Sequence, residues 1–389
     1  MWNVYLILIV QFFTTFNLYK IILTLFYQKS GMNLLEIGTI LAFSYVAKII
    51  FEIPSGYLAD NFGRKKIVGI GLFVFVIFLV MTYFTRSLYS FIIASFLQGI
   101  SLTLTSGALD AMQYDALVDA GKKDDVERYL TYERLLISIA FGCSSLFGGF
   151  LSNISYDLVF ILSICFSLFT SVVFLFTTDN FNKADLYREN HNKKFMSRCI
   201  ANIFDSPYLM KCMNITIIIS FVMIPIDDYY SLILKGEGLN ESLIGIISFS
   251  QFFISSFFGF FCKYLQASYG RNKLIDILPF IIFLFLLIFA ISKERILIFV
   301  SYTMLLIIIA LLNPIKYSIM QGLIEREYRS TIISIQSLLM ALTAVISQPL
   351  FSFLMLTFGK SLTIILFILM SSLLLVLNIV FFKNKLVEV

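Results

Sequence analysis

Histidine is nearly missing from this sequence: there is one, His191, and there is also one tryptophan. A lone imidazole in a polar stretch supports neither a zinc site nor a histidine-assisted nucleophile. The five cysteines (Cys143, Cys165, Cys199, Cys212, Cys262) form no CxxC pair and no His/Cys cluster, so no disulfide framework or metal centre is indicated. Charge is scarce as well. Asp, Glu, Lys and Arg make up 14% of the 389 residues, against about a quarter in a soluble domain. No GxxxxGK[ST] phosphate loop occurs, which removes ATP as the driving force, and no nucleophile–base constellation suggests an enzyme or a cofactor.

Apolar side chains fill the space. Hydrophobic residues are 59% of the chain, 43 of them phenylalanine, and the mean hydropathy is +0.91. This is the composition of a polytopic membrane protein whose surroundings are lipid. The abundant Phe, Ile, Leu, Asn and Lys suit an AT-rich bacterial genome, hence a bacterial plasma membrane. The net charge of +5 does not indicate a nucleic-acid partner, because the cations sit in short loops beside apolar runs.

A bilayer core needs roughly 20 apolar residues per helix. Twelve such runs appear, near 3–27, 34–57, 67–84, 88–113, 128–151, 156–178, 208–234, 241–264, 274–291, 296–321, 331–357 and 362–382. They are long and unalternating, and lipid tolerates only backbones that satisfy their own hydrogen bonds, so the expected fold class is all-α integral membrane. The first run has no basic n-region and no small-residue cleavage site, so it reads as a retained span. Eighteen loop lysines and arginines lie on one side of the membrane. Six (Lys29, Arg86, Lys235, Lys293, Arg295, Lys360) lie on the other. The positive-inside rule places both termini in the cytoplasm. The longest polar stretch, 179–207, is expected to be a cytoplasmic linker between two six-helix bundles, 1–178 and 208–389.

The halves are related. A shift of 207 residues lays GMNLLEIG (31–38) over GLNESLIG (238–245), and without a gap lays GYLADNFGRKK (56–66) over KYLQASYGRNK (263–273). Six spans return each half to the same side, so the repeats are parallel, a plan that puts a substrate site between the bundles.

GYLADNFGRKK resembles the loop signature G-x-L-a-D-x-x-G-R-[RK]-x between the second and third helices of the major facilitator superfamily; Gly56, Asp60, Gly63, Arg64 and Lys65 all match. The resemblance covers essentially the whole chain and implies the major facilitator fold. Physically, Gly56 is expected to end a helix and allow close backbone approach. Asp60 is expected against the positive end of a neighbouring helix. Arg64, Lys65 and Lys66 are expected at the anionic inner leaflet, able to pair with acids. The resemblance implies that this loop latches the halves on the cytoplasmic side, mostly from one copy, since Lys263 and Ala267 replace the glycine and the aspartate.

Two further stretches partly match. SFLQG (95–99) stands where proton-coupled members read R-x-x-Q-G, with Ser95 in place of the arginine. AFGCSSLFGG (140–149) is similar to the exporter pattern G-x-x-x-G-P-x-x-G-G on the fifth helix. Ala140, Ser144 and Ser145 are replacements there, and Gly148 and Gly149 are kept. Ordinary small-residue packing would read the same way. SGALDAMQYDAL (106–117) looks like a stretch found in bacterial drug-exporter-like members.

Ionisable residues inside spans are expensive and therefore functional candidates. Lys20 and Asp227 lie 207 positions apart, on the two helices that the resemblance makes cavity-lining. They are expected to pair across the halves on the outer side, with Asp228 as the alternate; the bland reading is that each reaches the headgroups. Glu52 is either neutralised by Lys48 one turn away or a protonation site. Asp110, Asp115 and Arg134 form either a structural ion network or a coupling site. Asn313 and Lys316, beside Pro314, suggest a bent cavity-facing helix, with Lys316 attracting an anion or balancing an acid. Gln11, Gln98, Gln251, Gln336 and Gln348 either line a cavity or bond between helices. The expected function is a monomeric secondary transporter, a proton-driven antiporter exporting amphipathic compounds by alternating access. Uptake of a nutrient or anionic metabolite, coupled to a proton or another ion, is the alternative.

Overall fold

A computed structural model describes residues 1–122, 126–179, 203, 206–324 and 328–387. Most of the expected 179–207 linker, with His191 and Cys199, lies outside the described residues. The helices are α1 (Trp2–Thr15), α2 (Leu23–Lys29), α3 (Leu34–Phe62), α4 (Arg64–Phe84), α5 (Leu88–Asp119), α6 (Val126–Ile154), α7 (Tyr156–Leu175), α8 (Pro207–Gly236), α9 (Glu241–Gly259), α10 (Cys262–Tyr269), α11 (Arg271–Ile291), α12 (Arg295–Leu323) and α13 (Arg329–Val387). Among the described residues, eleven stretches are long and apolar enough to cross a membrane. The last runs 46 residues, Thr331–Val376, and turns at Gly359 (φ 74, ψ 179), so it supplies two crossings and brings the total to twelve. All-helical structure follows from the solvent: within a helix every backbone donor finds its acceptor four residues away. Five of the six prolines (Pro54, Pro225, Pro279, Pro314, Pro349) lie inside helices, and Pro207 opens α8, where its missing N–H costs nothing.

The internal repeat is visible in the backbone. The starts of α3 and α9, α4 and α11, and α5 and α12 are each 207 residues apart, as Leu34/Glu241, Arg64/Arg271 and Leu88/Arg295. Corners repeat as well: Gly31 and Gly238 have φ 90 and 78, and Gly63 and Gly270 have φ 93 and 77, a region that favours glycine. Asn33 caps α3 with a reciprocal bond to Glu36, and Asn240 Oδ1 accepts from Leu243 N at 2.9 Å at the start of α9.

One expectation is corrected. Gly56 does not end a helix; it lies inside α3, exposed, with nothing within 4 Å of where a Cβ would stand. The helix continues to Phe62 because Gly63 supplies the corner.

Packing divides the chain into two compact units. The first is Met1–Glu189 with Leu234–Ser250, and the second is Asn190–Ile233 with Gln251–Val389. The end of α8 and the first half of α9 therefore pack with the first six spans. The first unit is built on Val4, Ile7 and Val10 of α1, Val68 and Leu72 of α4, Leu109, Met112 and Leu117 of α5, and Phe174 of α7. The second contains a ring cluster in which Phe367 stacks on Phe221 at 5.0 Å and meets Phe351 edge-on at 5.3 Å.

Candidate functional site

The first span is interrupted. α1 stops at Thr15 and a short 3-10 turn, Lys20–Ile22, precedes α2, although the stretch contains no proline or glycine. Its own side chains compete for the backbone. Thr14 and Thr15 hydroxyls donate to the Gln11 carbonyl at 2.9 and 2.8 Å, and Asn17 Nδ2 donates to the Thr14 carbonyl at 2.8 Å. The run TTFN was the signal for this break, and reading hydropathy alone passed over it. Lys20 emerges from the interruption exposed, with Nζ 4.9 Å from the centre of the Phe141 ring on α6. The preceding Tyr19 is buried and accepts a bond from Gln98 of α5 at 3.2 Å. Ser95, the replacement for the arginine, is 1% exposed. Gly99 keeps α5 against α3, since a Cβ there would run into the Ser44 carbonyl.

The seventh span carries a proline at the matching depth. Pro225 sits inside α8, and Asp227 and Asp228 follow it. Asp227 is 20 residues from the start of α8, or about 30 Å along the axis at 1.5 Å per residue. It thus lies toward the face opposite the termini. Asp227 Oδ1 accepts from Tyr302 Oη at 2.7 Å. The fully buried Tyr302 stacks on Tyr230 with centroids 3.8 Å apart, and Tyr230 Oη accepts from Gln251 Nε2 at 2.7 Å. Gln348 donates to Asp228, and the Tyr229 hydroxyl is 2.6 Å from the Ser352 hydroxyl. This network lies within the second unit. Sequence reading found the two acids and missed Tyr229, Tyr230 and Tyr302, whose hydroxyls are invisible in a hydropathy trace.

Lys20 and Asp227 belong to different units, and each has the partner just given. Arg64 pairs with Asp115 of α5. The Lys65 backbone N–H donates to Asp179 at 3.0 Å, and Lys65 Nζ donates to the Leu175 carbonyl at 2.9 Å, at the C-terminus of α7. The side chains of Asp60 and Arg134 lie outside the described residues. From α6, Glu133 accepts from Gln113 Nε2 of α5 at 3.0 Å in the interior. Asp110 is exposed on α5. Lys48 and Glu52 stand one turn apart, both half-buried. Among the described residues they form no ion pair; the pairs there are Arg64–Asp115, Lys211–Asp276 and Lys235–Glu241. Lys316 Nζ reaches Asn313 Oδ1 at 3.4 Å on α12, beside Pro314. Of the five glutamines singled out, three bond to another helix, Gln251 and Gln348 as above and Gln336 to Thr216 at 3.0 Å, and Gln98 bonds to Tyr19 in the interruption of the first span.

On α6, Ala140 and Ser144 are buried, and Ser145 Oγ bonds back to the Phe141 carbonyl. Gly148 lies against the Leu18 carbonyl at the α1 interruption, so closely that no Cβ would fit. A Cβ at Gly149 would stand 2.6 Å from the Glu241 carbonyl oxygen of α9. Nearer the termini, α1 and α6 line an open cavity of about 580 Å³. Tyr5, Phe12, Phe13, Tyr129 and Tyr132 form its aromatic wall, with Lys122 at the edge. That volume lies in the range that holds a drug-sized ligand.

Residues 4–234 match the family described as Major Facilitator Superfamily. The chain belongs to this superfamily. It is 26% identical over 317 residues to an uncharacterized transporter of Buchnera aphidicola subsp. Acyrthosiphon pisum, covering 79% of this chain and 77% of that one. An uncharacterized transporter of Methanocaldococcus jannaschii is 28% identical over 153 residues, 39% of each chain. Among solved structures, a variant of the nucleoside transporter NupG superposes with a TM-score of 0.80 at 13% identity, covering 97% of this chain and 99% of that one. A D-xylose–proton symporter superposes at 0.73 and 15%, covering 96% and 95%. At such identities the superpositions speak for the fold alone. The protein is a multi-pass membrane transporter of this superfamily, not an enzyme, with twelve helices in two parallel six-helix repeats.

Proposed function

We propose that this transporter is a proton-driven exporter of amphipathic compounds, working as a monomer by alternating access in a bacterial plasma membrane with its termini in the cytoplasm. The observation that carries the reading is the acid pair behind Pro225. Asp227 and Asp228 take bonds from Tyr302 and Gln348, neutral donors that accept either protonation state of a carboxylate at little cost. Ionisable groups at that depth are retained for function. The aromatic wall between α1 and α6 supports an apolar, ring-bearing substrate. The Gly148–Gly149 pair on α6 supports the outward direction, and the loop charge balance supports the orientation. Lys20, Lys316, Asn313, Glu52, Asp110, Asp115 and Arg134 are secondary candidates for substrate or ion contact.

Inverted vesicles acidified by respiration test this directly. Ethidium added outside should dissipate the pH gradient in vesicles carrying the wild-type chain and not in those carrying Asp227→Asn. Equal dissipation by both would remove Asp227 from the coupling. An uptake carrier is the second reading, favoured by the likeness to a nucleoside transporter and a D-xylose–proton symporter. Accumulation of labelled nucleoside or D-xylose by intact cells, with no effect of ethidium on the gradient, would select it.

A further inference from the structure

The broken first span borders a second, smaller pocket of about 40 Å³, lined by α1, α4, α5 and α7 and lying wholly within the first unit. That volume admits one or two water-sized particles. Thr14, in its wall, is 12 residues from the start of α1. At 1.5 Å per residue this is about 18 Å, near the middle of a bilayer core of about 30 Å. Part of the lining is aromatic: Phe166 packs on Phe13 and Phe16 with centroids 5.8 and 5.4 Å apart. Much of the rest carries oxygen, from Thr14, Asn17, Thr105, Ser163 and Thr170 among others.

The protons of this lining are already committed. The Thr14, Thr105, Ser163 and Thr170 hydroxyls donate to the carbonyls of Gln11, Ser101, Val159 and Phe166 at 2.7–2.9 Å, and Asn17 Nδ2 donates to the Thr14 carbonyl. Lone pairs remain. The carbonyls of Phe13 and Phe16, freed where the helix breaks, receive no hydrogen bond among the described residues, and neither does Asn17 Oδ1. A water molecule needs partners for its own lone pairs as well as its protons, whereas a cation needs acceptors only. The carbonyl end of α1 adds about half a negative charge. No carboxylate lines the pocket, which suits a monovalent ion and not calcium or magnesium. Lys20 does not fill the place, since its ammonium meets Phe141 of α6, a helix absent from this lining.

We propose that the interruption of the first span is a sodium site, in which the Phe13 and Phe16 carbonyls, Asn17 Oδ1 and hydroxyls of α5 and α7 hold the ion among neutral oxygens. Unwound carbonyls and a half-helix C-terminus are suited to this ion. Sodium satisfies acceptors that the broken helix leaves without donors, and so ties its own occupancy to the backbone from which Lys20 emerges. The inference goes beyond proton-driven export and does not depend on it. Asp227 belongs to the second unit, and a chain that exports nothing can still bind sodium.

The purified full chain, washed into sodium-free choline chloride, should bind radioactive sodium saturably. Its melting temperature should rise as sodium replaces choline at constant ionic strength, and potassium should leave it unchanged. Thr105→Val combined with Ser163→Ala removes two hydroxyls whose own bonds stay within their helices, so the fold is spared. This variant should bind sodium about tenfold more weakly, the worth of one bond to a charged group. Absence of saturable binding, equal binding by the variant, or a potassium effect matching that of sodium would overturn the site and leave a pocket that holds water. If the variant does not elute as a monodisperse protein, Asn17→Asp decides, because misfolding cannot imitate a gain. A carboxylate in place of the amide should tighten sodium binding about tenfold; unchanged or weaker binding would overturn the proposal.

Discussion

The first and seventh spans occupy the same place in the two repeats, and their helices differ there. α8 runs unbroken through Pro225, whose ring removes one backbone donor. In the first span the helix is undone by Thr14, Thr15 and Asn17, which occupy carbonyls that the helix would otherwise use. The side chains at this level differ too. The first unit places Lys20, Ser44 and Ser95 at positions where the second, 207 residues later, has Asp227, Gln251 and Tyr302. The second unit thus joins its acid, ring and amide into a bonded chain, whereas the first presents an exposed cation to a ring. The two copies thus differ in backbone and in charge at equivalent positions.

This asymmetry is open to experiment. The largest effect is expected at its centre: Asp227→Asn should lower transport by ~10–100-fold, the equivalent of a lost bond to a charged group, measured as initial rates in proteoliposomes. Retained transport would mean that the acid side of the comparison has no functional weight. Near the terminal face, the buried Lys211 pairs with Asp276, where the first unit has Val4 and Gly69. Lys211→Met should cost about 2–3 kcal/mol, below the usual figure for an orphaned buried partner because Asp276 is 45% exposed. The double variant Lys211→Val with Asp276→Gly, which copies the first unit, should recover most of the melting temperature. Tyr302→Phe keeps the stack on Tyr230 and deletes the bond to Asp227, so transport should fall about fivefold while stability drops by only about 1 kcal/mol. The smallest effect belongs to the interruption of the first span. Asn17→Leu returns the Thr14 carbonyl to the helix, and should change stability by roughly 0.5–1 kcal/mol while slowing maleimide labelling of Lys20→Cys.

Much of the architecture was legible in the chain because it rests on local rules. Twelve apolar runs, the 207-residue register and the GYLADNFGRKK loop come from hydropathy and matching residues, and the paired glycine corners and asparagine caps repeat them in the backbone. Lys20 and Asp227 stood out because charge inside a span is costly. The Lys48–Glu52 pair fails among the described residues because i,i+4 spacing makes contact available without compelling it. The Glu133–Gln113 bond and the Tyr156–Glu241–Lys235 cluster could not be read from the chain, since each depends on residues from separate helices.

By itself, then, the sequence determined that the chain crosses a membrane twelve times and that its halves are copies, because both are properties of consecutive residues against lipid. Tertiary structure alone decided which hydroxyl meets which carboxylate, and that Gly149 and Gly245 bring α6 and α9 into backbone contact. Those outcomes depend on distances of a few ångströms between helices remote in the chain, and packing sets such distances.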